Sequence, residues 1–262
     1  MSLRIHPLAL ALLSVFAVMS VEGAGAAERA LGPEPAPGER LSAWALRVHG
    51  PLADTTALHW HAQSERQPQH LLREAVLAGL ESARQRGDLS AQAHETLSAW
   101  LLALPVTGRL TLATHDPRAL QVMPESDPQA GPGHSFVHFA RPTQVVVLNS
   151  SGLPCLLRHQ PGAWAQDYLQ ACARLHAAHS PPVDTVWVAQ ADGRVQSFGV
   201  APWNLSPQYQ PSPGAWIWAP ERNSGLGPEL SSNLARLLAT QAPPDAHPAL
   251  QGHGGGGCAV AL

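Results

Sequence analysis

The sequence predicts an α+β protein, because short alternating strands and amphipathic helical segments follow one another along the chain. Two segments with apolar residues at helical spacing, within residues 69–86 and 89–104, separate the strands of the first half from those of the second. The 25 Pro residues and the low charged fraction of 13% favour many turns and short strands over long solvated helices.

The N-terminus has the pattern of an export signal. Arg4 precedes an apolar run over 8–21, which is shorter than the roughly 20 residues of a membrane-spanning helix. Ala24-Gly25-Ala26 then fits the small-residue pattern that signal peptidase cleaves. We therefore expect a signal peptide over 1–26, a flexible leader over 27–39 and a mature chain in the periplasm with no transmembrane segment. The alternative is an uncleaved anchor.

Charge and aromatic composition narrow the possible partners. Every one of the 16 basic residues is Arg, and 19 acidic residues bring the net charge to −3, so no basic field favours nucleic acid. Eight Trp residues are unusual beside two Tyr and four Phe. Such Trp residues serve a core or stack on sugar rings.

The first half is predicted to hold a helical hairpin between strands. We expect strands over 41–48 and 56–62, and further strands over 109–114 and 135–139. The hairpin occupies 69–104, with Gly87 ending its first helix, Asp88 capping the second and Pro105 stopping it.

The second half alternates in a characteristic order. Strands over 143–149 and 153–158 precede a helix after Pro161-Gly162, and three more strands follow, over 183–190, 195–200 and 215–219. Asp192-Gly193 suits a tight hairpin turn between the first two of these three. This order fits a β-grasp, a small mixed sheet curved around one helix. Residues 226–241 then form an amphipathic helix, and the chain from 243 is expected to be disordered.

The three Cys residues suggest one disulfide. Cys155 and Cys172 lie in ordered segments, whereas Cys258 lies in a glycine-rich tail. An oxidising periplasm would favour a Cys155–Cys172 bridge. The alternative is that all three are reduced and two are merely buried.

A set of short motifs in the second half occurs in a recognisable order: Tyr168-Leu169, Ala191-Asp192-Gly193, Trp203-Asn204, the run 213–220, and Asn233 with Leu237-Leu238. In these motifs the chain resembles the GfcC family of capsule-biosynthesis proteins, although that family usually has Pro-Asp-Gly at the hairpin turn. The likeness is good over 142–241 and weaker over 40–141. It extends to the β-grasp (SLBB-like) modules of outer-membrane polysaccharide exporters.

The resemblance implies a domain plan and a role. A first β-grasp-like domain would span 40–141 with the hairpin inserted, and a second would span 142–222. A C-terminal amphipathic helix over 223–242 and a tail over 243–262 would follow. The protein would be a periplasmic, non-catalytic accessory factor in capsule or exopolysaccharide assembly or export, binding glycan or the outer-membrane export machinery. A polysaccharide-modifying enzyme and an adaptor without glycan contact are the alternatives.

Catalytic and metal-binding motifs are not evident. The chain has neither G-x-S-x-G nor S-x-x-K, and no cofactor-binding motif. His59 and His61 share one face of a predicted strand and are the best metal candidate, but a third ligand is not evident, so we expect hydrogen-bonded or solvated histidines.

Three residues are candidates for ligand binding. Arg109 follows Thr107-Gly108, where little side chain crowds the approach, and a guanidinium can grip a carboxylate or phosphate with two hydrogen bonds. A salt bridge with Asp116 is the structural alternative. Trp216 and Trp218 share one side of the last strand. They would form a stacking platform for sugars if that side is open. They would be core if that side faces the helix with Trp164 and Tyr168, or would be covered if the last helix lies on it.

Overall fold

The computed structural model describes residues 34–50, 58–175, 182–207, 210–247 and 250. The predicted signal peptide and Cys258 lie outside these ranges. Within them, no helix is long and apolar enough to cross a membrane.

The structure confirms an α+β fold. Its helices and strands follow in this order: α1 Leu41–His49, β1 Leu58–Ala62, α2 Arg66–Arg86, α3 Ala91–Ala103, α4 Pro117–Gln121, β2 His134–His138, β3 Gln144–Asn149, β4 Pro154–Arg158, α5 Ala165–Leu175, β5 Thr185–Ala189, β6 Val195–Gly199, β7 Trp216–Ala219 and α6 Pro228–Ala239. Short 3-10 helices lie at Gln63–Glu65 and Pro244–Ala246.

The second half forms a five-stranded sheet with the order β4-β3-β7-β5-β6. β7 pairs parallel with β3 and antiparallel with β5, while β3–β4 and β5–β6 are antiparallel hairpins. Gly193, at φ 82°, takes the left-handed conformation that the predicted Asp-Gly turn requires. A mixed sheet of this order with α5 on one face is the β-grasp arrangement that the sequence predicts.

Helices cover both faces of this sheet. On one face, α5 packs on Val145, Val147 and Ile217 among others. On the other face, alternate residues of the same strands, including Trp216 and Trp218, pack against α2, α3 and α6. The sheet is therefore the middle layer of a three-layer sandwich.

The helical hairpin belongs to this sandwich, although it lies between β1 and β2 in the sequence. The apolar stripes of α2 and α3 contact α6 and the sheet face that carries Trp216, and Trp100 lies 5.9 Å from Trp216 between ring centroids. Gly87 ends α2 as predicted. Asp88 was expected to cap the next helix, but Ser90 does so, because its hydroxyl accepts a hydrogen bond from the backbone N–H of Ala93.

The first part of the chain is simpler than the β-grasp that the resemblance implies. In the described residues it holds the two-stranded β1–β2 ribbon, packed with α1 and α4 around Trp60 and Phe136. The predicted strand over 41–48 is wrong: these residues form α1. The spacing of Leu41, Trp44, Ala45 and Val48 is helical, and these residues pack on the ribbon.

The predicted strand over 109–114 is also wrong. Residues 108–110 pair with β1 through two hydrogen bonds, Ala62 N–H to Gly108 and Leu110 N–H to Trp60 (2.8 and 2.7 Å), and the ladder goes no further. Leu110 and Leu112 still pack on the core of the ribbon. The alternating pattern therefore reflects burial of these side chains and not a strand.

The C-terminal helix is docked, as its leucine stripe predicts. Leu234, Leu237 and Leu238 of α6 are buried against the hairpin and the sheet. The tail was expected to be disordered from 243, but its first residues pack on the fold. Asp245 accepts hydrogen bonds from Thr143, and His247 is buried with its ring 5.4 Å from Trp216.

Cys155 of β4 and Cys172 of α5 form the predicted disulfide, with Cα atoms 5.6 Å apart. It ties an edge strand to the helix that covers it. A bridge that closes a loop of this length stabilises by about 3 kcal/mol through the unfolded chain. Replacing both Cys with Ala should lower the free energy of unfolding in urea by about that amount, whereas Cys258→Ala should leave it unchanged. Three free thiols in the denatured, non-reduced wild type would contradict the bridge.

Leu234 of α6 is fully buried in the core that α6 shares with the hairpin and the sheet. Leu234→Ala should lower the free energy of unfolding by roughly 2–5 kcal/mol, because it leaves a cavity among close-packed side chains. Leu71→Ala on α2 is the control, since Leu71 is 54% exposed. Equal urea midpoints for the two variants would show that α6 is not part of the cooperative core.

Candidate functional site

A cleft of about 570 Å³ opens where the two parts of the chain meet. We call it the Arg109 cleft. Its walls come from the start of α2, the segment after Gly108, the β5–β6 turn with β6, and the end of α6: Glu65, Pro68, Gln69, Leu72, Arg109, Thr111, Gly193, Arg194, Val195, Gln196, Arg236, Ala239 and Thr240.

Arg109 lies at the base of this cleft and is 5% exposed. Its Nη1 donates to the carbonyl oxygens of Ala239 (2.9 Å) and Gln241 (3.3 Å), and its Nη2 donates to that of Ala191. A Cβ on Gly193 would lie 3.8 Å from the guanidinium carbon, so the Asp-Gly turn leaves room for the arginine. The guanidinium thus joins the first part of the chain to the β5–β6 turn and to the end of α6.

The sequence led us to expect Arg109 away from the core, in contact with ligand or with Asp116. The structure corrects the first part of that expectation, since the side chain is buried and its nearest acceptors are backbone carbonyls. The reason is the end of α6, where helix carbonyls lack intrahelical partners and a cation is favoured by the helix dipole. Burial lowers the pKa of Arg109 to about 9, and the negative charge of Asp192 raises it, so the guanidinium is charged at neutral pH.

A buried amide holds the backbone beside Arg109. Gln69 of α2 donates from Nε2 to the Arg109 carbonyl and accepts from the Gly108 N–H, both at 2.8 Å. Thr107 donates to the Thr240 carbonyl at 2.8 Å. Gly108, at φ 76°, approaches so closely that a Cβ there would lie 2.6 Å from the Ala62 carbonyl oxygen.

These supporting residues were not predicted from the sequence. One signal was present: Gln69 continues the apolar stripe of Leu72, Val76 and Leu80, so a polar residue stands in a buried position of the helix. The partners of Thr107 and Arg109 lie more than 80 positions away in sequence, at Ala191, Ala239 and Thr240.

The charge around the cleft is predominantly positive. Arg194 pairs with Asp192 through its Nε at 2.5 Å. Arg236, in the last turn of α6, is exposed and has no ion-pair partner in the part of the chain that the structure describes. Glu65 is the carboxylate among the lining residues. The cleft is therefore suited to an anionic or hydroxyl-rich ligand.

Trp216 and Trp218 do not form an open platform. They are 3% and 1% exposed, because α6 and the hairpin cover the side of β7 on which they lie. The alternative stated above, a core position under the last helix, is the one that the structure has.

The histidines of β1 lie deeper than expected. His59 is 1% exposed, and its ring centroid lies 6.4 Å from that of His61 and 6.2 Å from that of His115. His61 Nδ1 lies 3.0 Å from the Thr107 carbonyl oxygen, and His115 Nδ1 hydrogen-bonds the Leu58 carbonyl. Across the described residues, no group of three His, Cys, Asp or Glu side chains is placed to hold a metal ion.

Burial and the nearby Arg109 charge keep two of these histidines neutral. Burial and, to a lesser extent, the Arg109 charge lower the pKa of His115 to about 4. The same two causes place the pKa of His59 well below its ordinary value. Two partly exposed carboxylates, Glu39 and Glu81, have their pKa lowered to about 2, chiefly by hydrogen bonds from Arg47 and Arg84. Both shifts are opposite to that of a glycosidase-type general acid, which needs a raised carboxyl pKa.

Fold and cleft together define an α+β protein built on a β-grasp sheet, with a cationic cleft at its junction with the N-terminal part. Residues 154–242 match the family model described as capsule biosynthesis GfcC C-terminal. This matched segment contains the disulfide, the β5–β6 turn, β7 and α6. No curated protein matches the chain significantly.

Arg109→Ala should destabilise the protein. Three carbonyl oxygens would lose a charged donor, and an unsatisfied buried polar group costs about 1–3 kcal/mol. We expect a lowered urea midpoint for Arg109→Ala and a smaller loss for Arg109→Lys, whose ammonium lacks the planar fork that reaches both α6 and the turn. Arg236→Ala, which removes an exposed arginine of the same cleft, should unfold like wild type. An Arg109→Ala midpoint equal to that of wild type would contradict the structural role.

Stability should fall in acid between pH 6.5 and 4. The folded-state pKa of His115 is depressed, so in this window the unfolded chain binds more protons, and stability is lost as pH decreases. His115 alone should contribute a loss of about 3 kcal/mol by pH 4. His115→Asn should make the slope of unfolding free energy against pH shallower, whereas His70→Asn, at a side chain 45% exposed, should not. Equal slopes in both variants would contradict a buried neutral His115.

Proposed function

We propose that this protein is a periplasmic, non-catalytic accessory factor in the assembly or export of a capsule or exopolysaccharide. In this role it holds an acidic segment of the polysaccharide in the Arg109 cleft. The family match supports the capsule-related role. The Cys155–Cys172 bridge is compatible with an oxidising compartment, as the predicted signal peptide requires.

The observation that carries the proposal is the charge of the cleft. Arg109 supplies a fixed buried cation at its base, and Arg194 and Arg236 lie at its walls, against Glu65 as the lining carboxylate. Arg236 has its guanidinium free for two parallel hydrogen bonds to a uronic acid carboxylate, a phosphate or a pyruvyl group. Arg109 is held by backbone carbonyls. It therefore contributes its positive electrostatic potential and the shape of the cleft more than a direct contact with the ligand.

The pKa and position of the carboxylates favour polysaccharide binding over polysaccharide hydrolysis as the function. A glycosidase needs two carboxyl groups flanking one bond, one of them with a raised pKa. Among the described residues, the carboxylates with a displaced pKa are Glu39 and Glu81. Their pKa is lowered, and both lie outside the cleft. These observations support a non-catalytic role. In this proposal the outer-membrane export machinery is the partner to which the polysaccharide passes.

The test combines a cell assay with a binding assay. A strain that lacks the gene should lose surface polysaccharide. Wild type should restore it, Arg236→Glu should restore it poorly, and Arg158→Glu, a charge reversal at the exposed end of β4, should restore it fully. In native gels cast with the surface polysaccharide extracted from the source strain, wild type should be retarded at low salt and Arg236→Glu should run nearly free.

Two outcomes would overturn the proposal. If the purified wild type is not retarded, the protein does not bind this polymer. If Arg236→Glu and Arg158→Glu behave alike in both assays, the cleft is not the binding site. Loss of surface polysaccharide on deletion without any retardation would indicate an adaptor that contacts only the export proteins.

A further inference from the structure

The outer edge of β6 lies open beside the Arg109 cleft. β6 is an edge strand of the five-stranded sheet and pairs with β5 on one side. The opposite edge strand, β4, carries Pro154 and Arg158 and is tied to α5 by the disulfide. Proline and charge are common means of protecting an edge strand, and Val195–Gly199 contains neither. The edge of β6 is therefore available to a binding partner.

The ladder between β5 and β6 fixes which backbone groups face outward. At one end, the Gln190 N–H donates to the Arg194 carbonyl at 2.8 Å. At the other end, the Val200 N–H donates to the Asp184 carbonyl at 2.8 Å. In an antiparallel ladder every second residue bonds to the neighbouring strand, so the even-numbered residues of β6 face β5. The odd-numbered residues point their N–H and C=O groups away from the sheet: Val195, Ser197 and Gly199.

Part of this outward row is already bonded. The Gly199 N–H donates to the Ser206 hydroxyl (2.9 Å), and the Gly199 carbonyl accepts from the Ser206 N–H (3.3 Å). The outward groups of Val195 and Ser197 have no hydrogen-bond partner in the part of the chain that the structure describes. These two residues span about 7 Å of strand, whereas strands usually have about 3–10 residues. The open stretch therefore suits a small hydroxyl-bearing unit better than an added β-strand.

The open edge begins inside the Arg109 cleft. Arg194, Val195 and Gln196 belong to the lining of the cleft, and Ser197 is the next residue of β6, just outside it and exposed. Arg236 lines the same cleft from α6. A polymer that places an acidic residue against Arg236 can therefore extend its neighbouring residue along the edge of β6.

We propose that the edge of β6 binds the sugar next to the acidic residue that Arg236 holds, and that this neighbouring sugar is uncharged with free hydroxyls. The two open N–H groups donate to sugar oxygens, and the two open carbonyls accept from sugar hydroxyls. A hydroxyl both donates and accepts, whereas an ionised carboxylate only accepts and would leave the carbonyls without a donor. The inference rests on the proposed function, and it names the polymer as one in which acidic and neutral sugars are neighbours.

Proline at position 197 tests the edge directly. Ser197→Pro removes one outward N–H and leaves the bonds to β5 in place, because an edge strand tolerates proline where its N–H faces outward. Losing one hydrogen bond should weaken binding about fivefold in gels cast with increasing amounts of the extracted surface polysaccharide. The loss should be equal at low salt and at about 0.5 M NaCl, whereas Arg236→Glu should differ from wild type chiefly at low salt.

Two variants are matched controls. Ser197→Ala removes the hydroxyl but keeps the N–H, so it should bind like wild type. Arg158→Pro removes an outward N–H from the opposite edge of the sheet. The His159 N–H donates to the Thr143 carbonyl (2.7 Å), so Arg158 points its N–H away from β3. Arg158→Pro should also bind like wild type, and urea unfolding of each variant checks that it is folded.

Amide hydrogen exchange tests the contact in the wild-type protein, whether or not Ser197→Pro folds. Without polysaccharide, the Val195 and Ser197 amides should exchange faster than the Gln196 amide, which is bonded within the sheet. Adding the extracted polysaccharide should slow exchange at Val195 and Ser197. Exchange at Arg158, on the opposite edge, should be unchanged.

Three results would overturn the proposal and leave the proposed function in place, provided that Arg236→Glu still loses binding at low salt. The first is wild-type affinity in a folded Ser197→Pro. The second is unchanged exchange at Val195 and Ser197 when polysaccharide is added. The third is protection of these amides that rises with protein concentration in the absence of polysaccharide, because a second copy would then occupy the edge. A wild type that the polysaccharide does not retard would overturn both proposals.

Discussion

The structure depends on one constraint, the need to cover a five-stranded sheet that is apolar on both faces. α5 and the Cys155–Cys172 bridge cover one face. The other face carries Trp216 and Trp218, and no helix of the β-grasp unit itself lies on it. The hairpin α2–α3, from the first half of the chain, and α6, from its end, supply that cover. The two parts of the chain are therefore joined by a shared core rather than by a linker.

The shared core brings a buried charge with it. Where α6 ends against the hairpin and the β5–β6 turn, carbonyls of Ala191, Ala239 and Gln241 converge, and Arg109 is the donor that satisfies them. A buried guanidinium is costly to desolvate, and three charged hydrogen bonds offset that cost. Burial and, after it, the Arg109 charge depress the pKa of His59 and His115 nearby, which makes this junction sensitive to acid.

The C-terminal end of α6 forms a wall of the cationic Arg109 cleft. The docking of this helix therefore shapes the cleft as well as covering the Trp216 face of the sheet.

Local pattern in the sequence determined the strands, turn and helices of residues 143–241, the disulfide, the leucine stripe of α6 and the helical hairpin, because each depends on neighbours within about 20 positions. The strand predicted over 41–48 is wrong because the apolar residues there have helical spacing. The strand predicted over 109–114 is wrong because burial alternates there without a β ladder. Tertiary structure alone decided what covers the Trp216 face, which backbone carbonyls Arg109 binds, and which Trp is exposed. These outcomes depend on contacts between residues more than 80 positions apart, such as Arg109 with Ala191 and Ala239, and local periodicity carries no information about them.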